Sequence, residues 1–304
     1  MTFETSITID GDTLTGPYRH PAQMLAEQEY GGHASVHDGQ IASDLGLPGA
    51  PIEGPTHFSQ IDALAAEVWG QRWFEGGCLS AHFKTMVVDG EEVQASLTRR
   101  SDTAATIGSH KADRTPVLVG TATIGTGDET ELDERRARSA GDPGELRIVD
   151  QLSVGMSGGA PVDTSMEYDE HNGLLYPFTL ATKLSEITEH SSWYIPGEDS
   201  PWGRPILPTE MISVLALKEG TGFPVRGPSV GLFVDLEVRY VNGPVFVDSP
   251  YRVQHEVIAL GQTKRIESYW TESRLVDADT GVHTATVTLH QGVFKDSYLR
   301  APAG

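Results

Sequence analysis

Two stretches of the chain repeat each other, and a fold built twice is the strongest constraint the sequence carries. Gly49-Ala-Pro-Ile-Glu-Gly-Pro-Thr-His-Phe-Ser-Gln-Ile61 and Gly203-Arg-Pro-Ile-Leu-Pro-Thr-Glu-Met-Ile-Ser-Val-Leu215 share a Gly-x-Pro-Ile start and a Pro-Thr step before an apolar run, with one residue inserted in the first copy. Such self-similarity marks an internal duplication. Phe58, Ile61, Leu64, Ala65 and Val68 recur at helical spacing, with Thr56 as expected N-cap and Gly70 as stop; Met211, Ile212, Leu215 and Ala216 do the same up to Gly220. Helices are therefore expected over about 55–70 and about 208–219.

After each helix the period changes to that of strands. In the first half it does so over Leu79–Val88, Val93–Thr98 and Val117–Ile124, with a turn at Asp89-Gly90. In the second half Ser229–Tyr240, Tyr251–Ala259, Arg265–Leu275 and His283–Val293 read as an antiparallel meander, with turns at Asn242-Gly243 and Asp277–Gly281. One long helix followed by several antiparallel strands, twice over, predicts an α+β chain in which a curled sheet wraps each helix. Gly125–Glu145 is rich in Gly, Asp, Glu and Arg and reads as the linker. The division expected is an N-terminal unit over 1–135, a linker over 136–147 and a C-terminal unit over 148–304.

Charge and cysteine content narrow the function classes. With 22 Lys and Arg against 43 Asp and Glu the formal charge is -21, which repels nucleic-acid phosphates in the absence of a segregated basic patch. Cys78 is the single cysteine, which excludes an internal disulfide and any multi-cysteine metal site. No stretch approaches the roughly 18 apolar residues of a membrane span, and the first residues lack the basic start and apolar core of an export signal. A cytoplasmic location and no membrane partner are expected.

The stretch His33-Ala-Ser-Val-His-Asp-Gly-Gln-Ile-Ala-Ser-Asp-Leu-Gly-Leu-Pro-Gly-Ala-Pro-Ile-Glu-Gly54, the helix after it and Phe83–Val93 resemble the MaoC-like hydratase/dehydratase superfamily, in the form of a double hotdog protein. In that family an Asp and a His lie in a D-x-N-P-x-H loop ahead of an Ala, a Gly and a Pro-Ile step. Ala42, Gly46, Pro51 and Ile52 match the later positions. The loop departs, because a strict count puts Val36 at the His and Gly31 at the Asp. Deleting one residue on each side places His37 at the His position and His33 at the Asp position, with Asp38 alongside and Ser35-Val36 replacing Asn-Pro.

The resemblance implies a tandem hotdog fold and a lyase that adds water to, or removes it from, an activated, α,β-unsaturated carbonyl compound. The substrate is then a small molecule, either a coenzyme A thioester or a carrier-free carbonyl compound, with no metal and no redox cofactor. Duplication meets the pairing need of hotdog units within one chain, and leaves a further homodimer open.

Such chemistry needs one group to move a proton at carbon, one to handle water and a donor to polarise the carbonyl. His33, His37 and Asp38 could supply the first two, an imidazole because its reference pKa lies near 6.5 and Asp38 by orienting it. The same residues also read as a polar surface loop. Backbone N–H groups near Gly54, the family's Gly, could hold the carbonyl oxygen. Glu53 is either a solvated loop carboxylate or an acid–base group, His57 is a second-rank binding residue, and Tyr194 is expected to line a pocket in the second half. A hotdog thioesterase, with Glu53 or Asp38 activating water, and a non-catalytic acyl binder are the alternatives.

Overall fold

The structure is a computed structural model that describes residues 3–139 and 141–299. The chain opens with β1 (Thr8–Asp10), β2 (Thr13–Arg19) and a short helix α1 (Gly39–Asp44). A 3-10 turn at Gly54–His57 runs directly into α2 (Phe58–Trp69), which stops at Gly70 with φ +58°. Then come α3 (Gln71–Gly76), β3 (Gly77–Phe83), β4 (Val93–Arg99), β5 (Ala104–Lys111), β6 (Pro116–Ile124) and α4 (Glu131–Ser139). The second half has β7 (Val162–Thr164), α5 (Leu180–Glu186), a 3-10 turn at Ser192–Tyr194, α6 (Thr209–Leu217), β8 (Gly231–Tyr240), β9 (Tyr251–Gln262), β10 (Ile266–Asp277), β11 (His283–Phe294) and α7 (Lys295–Leu299).

All the strands join one sheet in the order β1-β2-β4-β5-β6-β3-β8-β11-β10-β9-β7, every pairing antiparallel. The duplication is visible in this order. From the central β3–β8 seam, where Leu79 lies opposite Val238, the first half runs outward 3-6-5-4-2 and the second 8-11-10-9-7. In each half the strand after the helix forms the seam and the strand before it the outer rim.

The repeated segments are the helices expected, and both are buried. Every residue of α6 is buried, as are Phe58–Ala65 and Trp69 of α2, because each lies between the sheet and its counterpart helix. Their apolar side chains join those of the sheet's inner face, among them Leu79, Leu97, Leu236 and Val287, in one core shared by both halves. Asp62 of α2 fastens the halves together: its carboxylate accepts from Thr209 N at 2.9 Å, at the foot of α6, and from Trp73 Nε1 at 2.8 Å.

Several expectations are corrected. The second half is not a simple meander: β8 pairs with β11, and β9 reaches the sheet only beyond β10, so the loop containing Asn242-Gly243 crosses over instead of closing a hairpin. The Asp89-Gly90 turn likewise joins non-adjacent strands, and β3 ends at Phe83 because Lys84 and Thr85 both turn their N–H groups to Val117 O. Thr56 lies inside the 3-10 turn and does not cap α2. The segment read as linker contains α4, whose Leu132 is buried and whose Arg135 forms a 2.6 Å ion pair with Asp235; the 135/136 boundary falls within this helix. β2 and β5 were not expected. Among the described residues no helix is long and apolar enough to cross a membrane.

Candidate active site

Asp38 is the N-cap of α1, its Oδ1 accepting from the N–H groups of Gln40 and Ile41 at 2.9 Å each. Gly46, at φ +74°, ends the helix with Leu47 N bonded back to Ala42 O, so the chain reverses and returns to Pro51. This compact turn brings His37 against Pro51, and Nδ1 of His37 lies 2.7 Å from Pro51 O. A carbonyl only accepts, so Nδ1 carries the hydrogen and Nε2 keeps its lone pair. Burial lowers the His37 pKa, while the Pro51 carbonyl and the charge of Glu53 act in the opposite sense. The imidazole is neutral at neutral pH and able to accept a proton at Nε2.

His37, Glu53, Gly54 and His57 line one cavity of about 240 Å³. Leu25, Tyr30 and Phe83 wall it from the first half and Tyr176, Leu217, Phe233 and Leu289 from the second, which gives a mostly apolar slot with its polar groups clustered. The Phe83 ring packs closely on Gly54: a Cβ there would stand 3.1 Å from it, so the ring would have to give way by a few tenths of an ångström. At the start of the 3-10 turn its N–H lies outside the helical bonding pattern. Glu53 and His57 are 5% and 3% exposed, and Glu53 Oε1 and His57 Nδ1 are buried without a hydrogen-bond partner. Burial first, then the charges of Lys183 and Lys111, hold His57 down at about 4.

The remaining expected residues lie elsewhere. Asp38 is exposed and spent on its helix cap, and His37 is oriented by a backbone carbonyl, so the orienting role expected of Asp38 does not match its position. His33 is half-buried, 3.0 Å from Ser229 Oγ and packed on the Tyr30 ring, outside the cavity lining. Tyr194 is buried between the halves, edge-on to Phe74 with its OH 3.4 Å from Asp62, and lines a separate depression with Glu4 and His190. Its size and polarity are used in packing.

Lys183 on α5 was not foreseen. Thr179 caps this helix, and Leu180, Lys183 and Leu184 share its buried side. Lys183 is 2% exposed, donates to Thr56 Oγ1 at 3.0 Å and stands 3.6 Å from Glu53 Oε2. The available signal was a lysine at an apolar position of a helical stripe. Among the described residues no cluster of His, Cys, Asp or Glu is arranged to hold a metal ion.

No family model matches the sequence, and no curated protein matches it. Solved structures do. A protein described as a MaoC domain dehydratase from Chloroflexus aurantiacus J-10-fl superposes with a TM-score of 0.57 at 13% identity, over 97% of this chain and 95% of that one. The double hotdog protein RV0216 from Mycobacterium tuberculosis gives 0.58 at 10% identity, over 95% and 96%. The chain has the double hotdog fold. A third structure of similar shape is the dehydratase domain of the polyketide PpsC from Mycobacterium tuberculosis, with a TM-score of 0.54 at 15% identity over 95% and 97%. At such identities the likeness is one of fold, and the chemistry rests on the residues around the cavity.

Proposed function

We propose that this double hotdog protein is a lyase of the hydratase/dehydratase kind, acting on a β-hydroxy or α,β-unsaturated carbonyl compound. The observation that carries the reading is the pairing, in one apolar cavity, of a neutral imidazole fixed with its Nε2 unprotonated and a buried carboxyl group. Written as dehydration, His37 Nε2 takes the proton from the carbon next to the carbonyl, and Glu53 exchanges a proton with the departing hydroxyl. The Gly54 N–H faces the carbonyl oxygen as negative charge develops there. Hydration is the same path reversed. His57 Nδ1 and Glu53 Oε1, both without partners, are the atoms that would bind the hydroxyl or water.

The dehydratases of like fold support this reading by analogy alone. Among the described residues Lys84 is the one lysine or arginine lining the cavity, so a polyphosphate carrier finds little positive charge there, and both thioesters and carrier-free carbonyl compounds belong in the substrate set. The test is a paired assay with 3-hydroxyacyl and enoyl N-acetylcysteamine thioesters and matching β-hydroxy ketones, following alkene absorbance and free thiol together. Interconversion of alkene and alcohol supports the lyase. Thiol release without alkene change would replace it with a thioesterase, and binding without turnover with an acyl binder.

A further inference from the structure

The Lys183 ammonium lies among groups from both halves of the chain: Thr56 Oγ1 at 3.0 Å, Glu53 Oε2 at 3.6 Å and Glu210 Oε2 at 3.9 Å. Glu53, Lys183 and Glu210 are at most 5% exposed. Two carboxylates beside one ammonium would leave a negative charge without a counter-ion in a medium of low polarisability. Hydrogen bonds could offset that cost, yet both Glu210 oxygens and Glu53 Oε1 lack donors. The arrangement is stable with one proton on the two carboxyl groups. Glu53 lines the cavity, whereas Lys183 and Glu210 are outside its lining.

We infer that Glu53 and Glu210 form a one-proton carboxyl pair bridged by Lys183, in which Glu53 exchanges the proton with the substrate and Glu210 holds it between turnovers. This rests on the lyase reading for its substrate, though not for its ionisation. Glu210 follows Pro208-Thr209 as His57 follows Pro55-Thr56, so the duplicated helix start places one titratable residue from each half near Lys183, and Glu53 comes from the first copy alone. The groups acting on Glu210 are Lys183 from α5, Glu53 before the first 3-10 turn, and Asp62 from α2; Glu210 acts in turn on the Tyr194 hydroxyl, while His57 lies near Lys183. Burial pushes Glu210 up to about 8, Glu53 and Asp62 add to that shift, and Lys183 opposes it.

The pair supplies what the neutral imidazole cannot. In dehydration His37 Nε2 takes the proton from carbon and the electrons of that C–H bond become the new double bond; Lys183 gives a proton to Glu53 and takes that of Glu210 in its place, and the C–O bond breaks as Glu53 passes its proton to the leaving hydroxyl to form water. His37 is then protonated and both carboxyls are ionised beside Lys183. Release of the imidazole proton to solvent and uptake of one proton by the pair restore the starting state, so the net change is loss of one water.

The experiment combines infrared spectroscopy of the whole protein with kinetics. The parent should show a protonated-carboxyl band at neutral pH that disappears as pH rises through about 8. Glu210→Gln, which keeps the shape and remains neutral, should lack that band, melt near the parent temperature at neutral pH and lose roughly 10-fold or more in dehydration rate. Lys183→Met should enlarge the band by leaving both carboxyls protonated, and Lys183→Arg should restore the parent spectrum. Absence of the band in the parent, its persistence in Glu210→Gln, or full dehydration by that variant would overturn the inference. A titrating band in a protein inactive on every alcohol and alkene tested would sustain the pair and sink the lyase reading instead.

Discussion

Asp62 in the first helix accepts a hydrogen bond from the backbone N–H of Thr209, 2.9 Å away at the start of the second, so each half's central helix depends on the other. The same carboxylate takes the Trp73 indole N–H and the Thr209 hydroxyl. Asp62→Ala leaves these donors buried and unpaired, and is expected to cost about 3–5 kcal/mol. Asp62→Asn replaces one acceptor oxygen by a donor facing them, at about 1–3 kcal/mol. Urea unfolding checks both, and a single cooperative transition in the parent would agree with the halves sharing one core.

His37→Ala should lower turnover by roughly 10²–10⁴ with little change in melting temperature, because the side chain is the proton acceptor and only partly buried. His33→Ala, which removes a ring outside the cavity, should leave turnover within a few-fold of the parent. Steady-state rates of the two variants, measured beside their melting curves, decide the assignment.

Asp38→Asn should be nearly silent in both rate and stability, since Asn caps a helix about as well as Asp. Asp38→Ala should cost about 0.5–2 kcal/mol through loss of the cap. Were Asp38 instead the partner of a charged imidazole, Asp38→Asn would depress turnover while leaving the melting curve in place.

The contrast between Asp38 and His37 shows what sequence reading could and could not reach. The repeat, its two helices and the strands after them were legible because hydrophobic period and Gly-Pro punctuation are local signals. That the pairing order is 3-6-5-4 and 8-11-10-9 was not, since strand order depends on which loops cross the helices, and no local pattern encodes that. In the site, His37, Glu53, Gly54 and His57 were found from proximity to the helix start, and they do line one cavity. Lys183 and Glu210 stayed hidden because their meaning comes from partners 130 and 157 positions away in the chain, as the separations Glu53–Lys183 and Glu53–Glu210 show. β2 and β5 escaped because they mix Gly, Thr and Pro or small residues with few large apolar ones.

Gly54→Ala tests the substrate slot. The new Cβ would stand 3.1 Å from the Phe83 ring, closer than van der Waals contact allows, so the ring must move within the cavity wall. A stability loss of about 1–3 kcal/mol is expected, together with a rise in KM larger than the fall in kcat. An unchanged KM would mean that neither Gly54 nor Phe83 borders the substrate.

Asp235 clamps α4 to the outer face of the sheet at the seam between the halves. Its carboxylate lies 2.7 Å from His82 Nδ1, 2.6 Å from His290 Nδ1 and 2.6 Å from Arg135 Nε. Burial alone would raise its pKa, but hydrogen bonds from His290 and His82, with the charges of His290 and Arg135, bring it down from 3.8 to about 2. A carboxyl whose pKa is depressed by folding stabilises fully above its unfolded value and loses that contribution as pH falls through the folded one. The clamp should therefore hold at neutral pH and weaken between about pH 4 and pH 2. Asp235→Ala strands the His82 and His290 donors, leaves Arg135 without this counter-ion, and should cost about 3–5 kcal/mol at neutral pH. Hydrogen exchange along Glu131–Ser139 should accelerate more than exchange in α6, which Asp62 secures independently. Equal acceleration in both helices would show that Asp235 supports the whole fold and not this helix in particular.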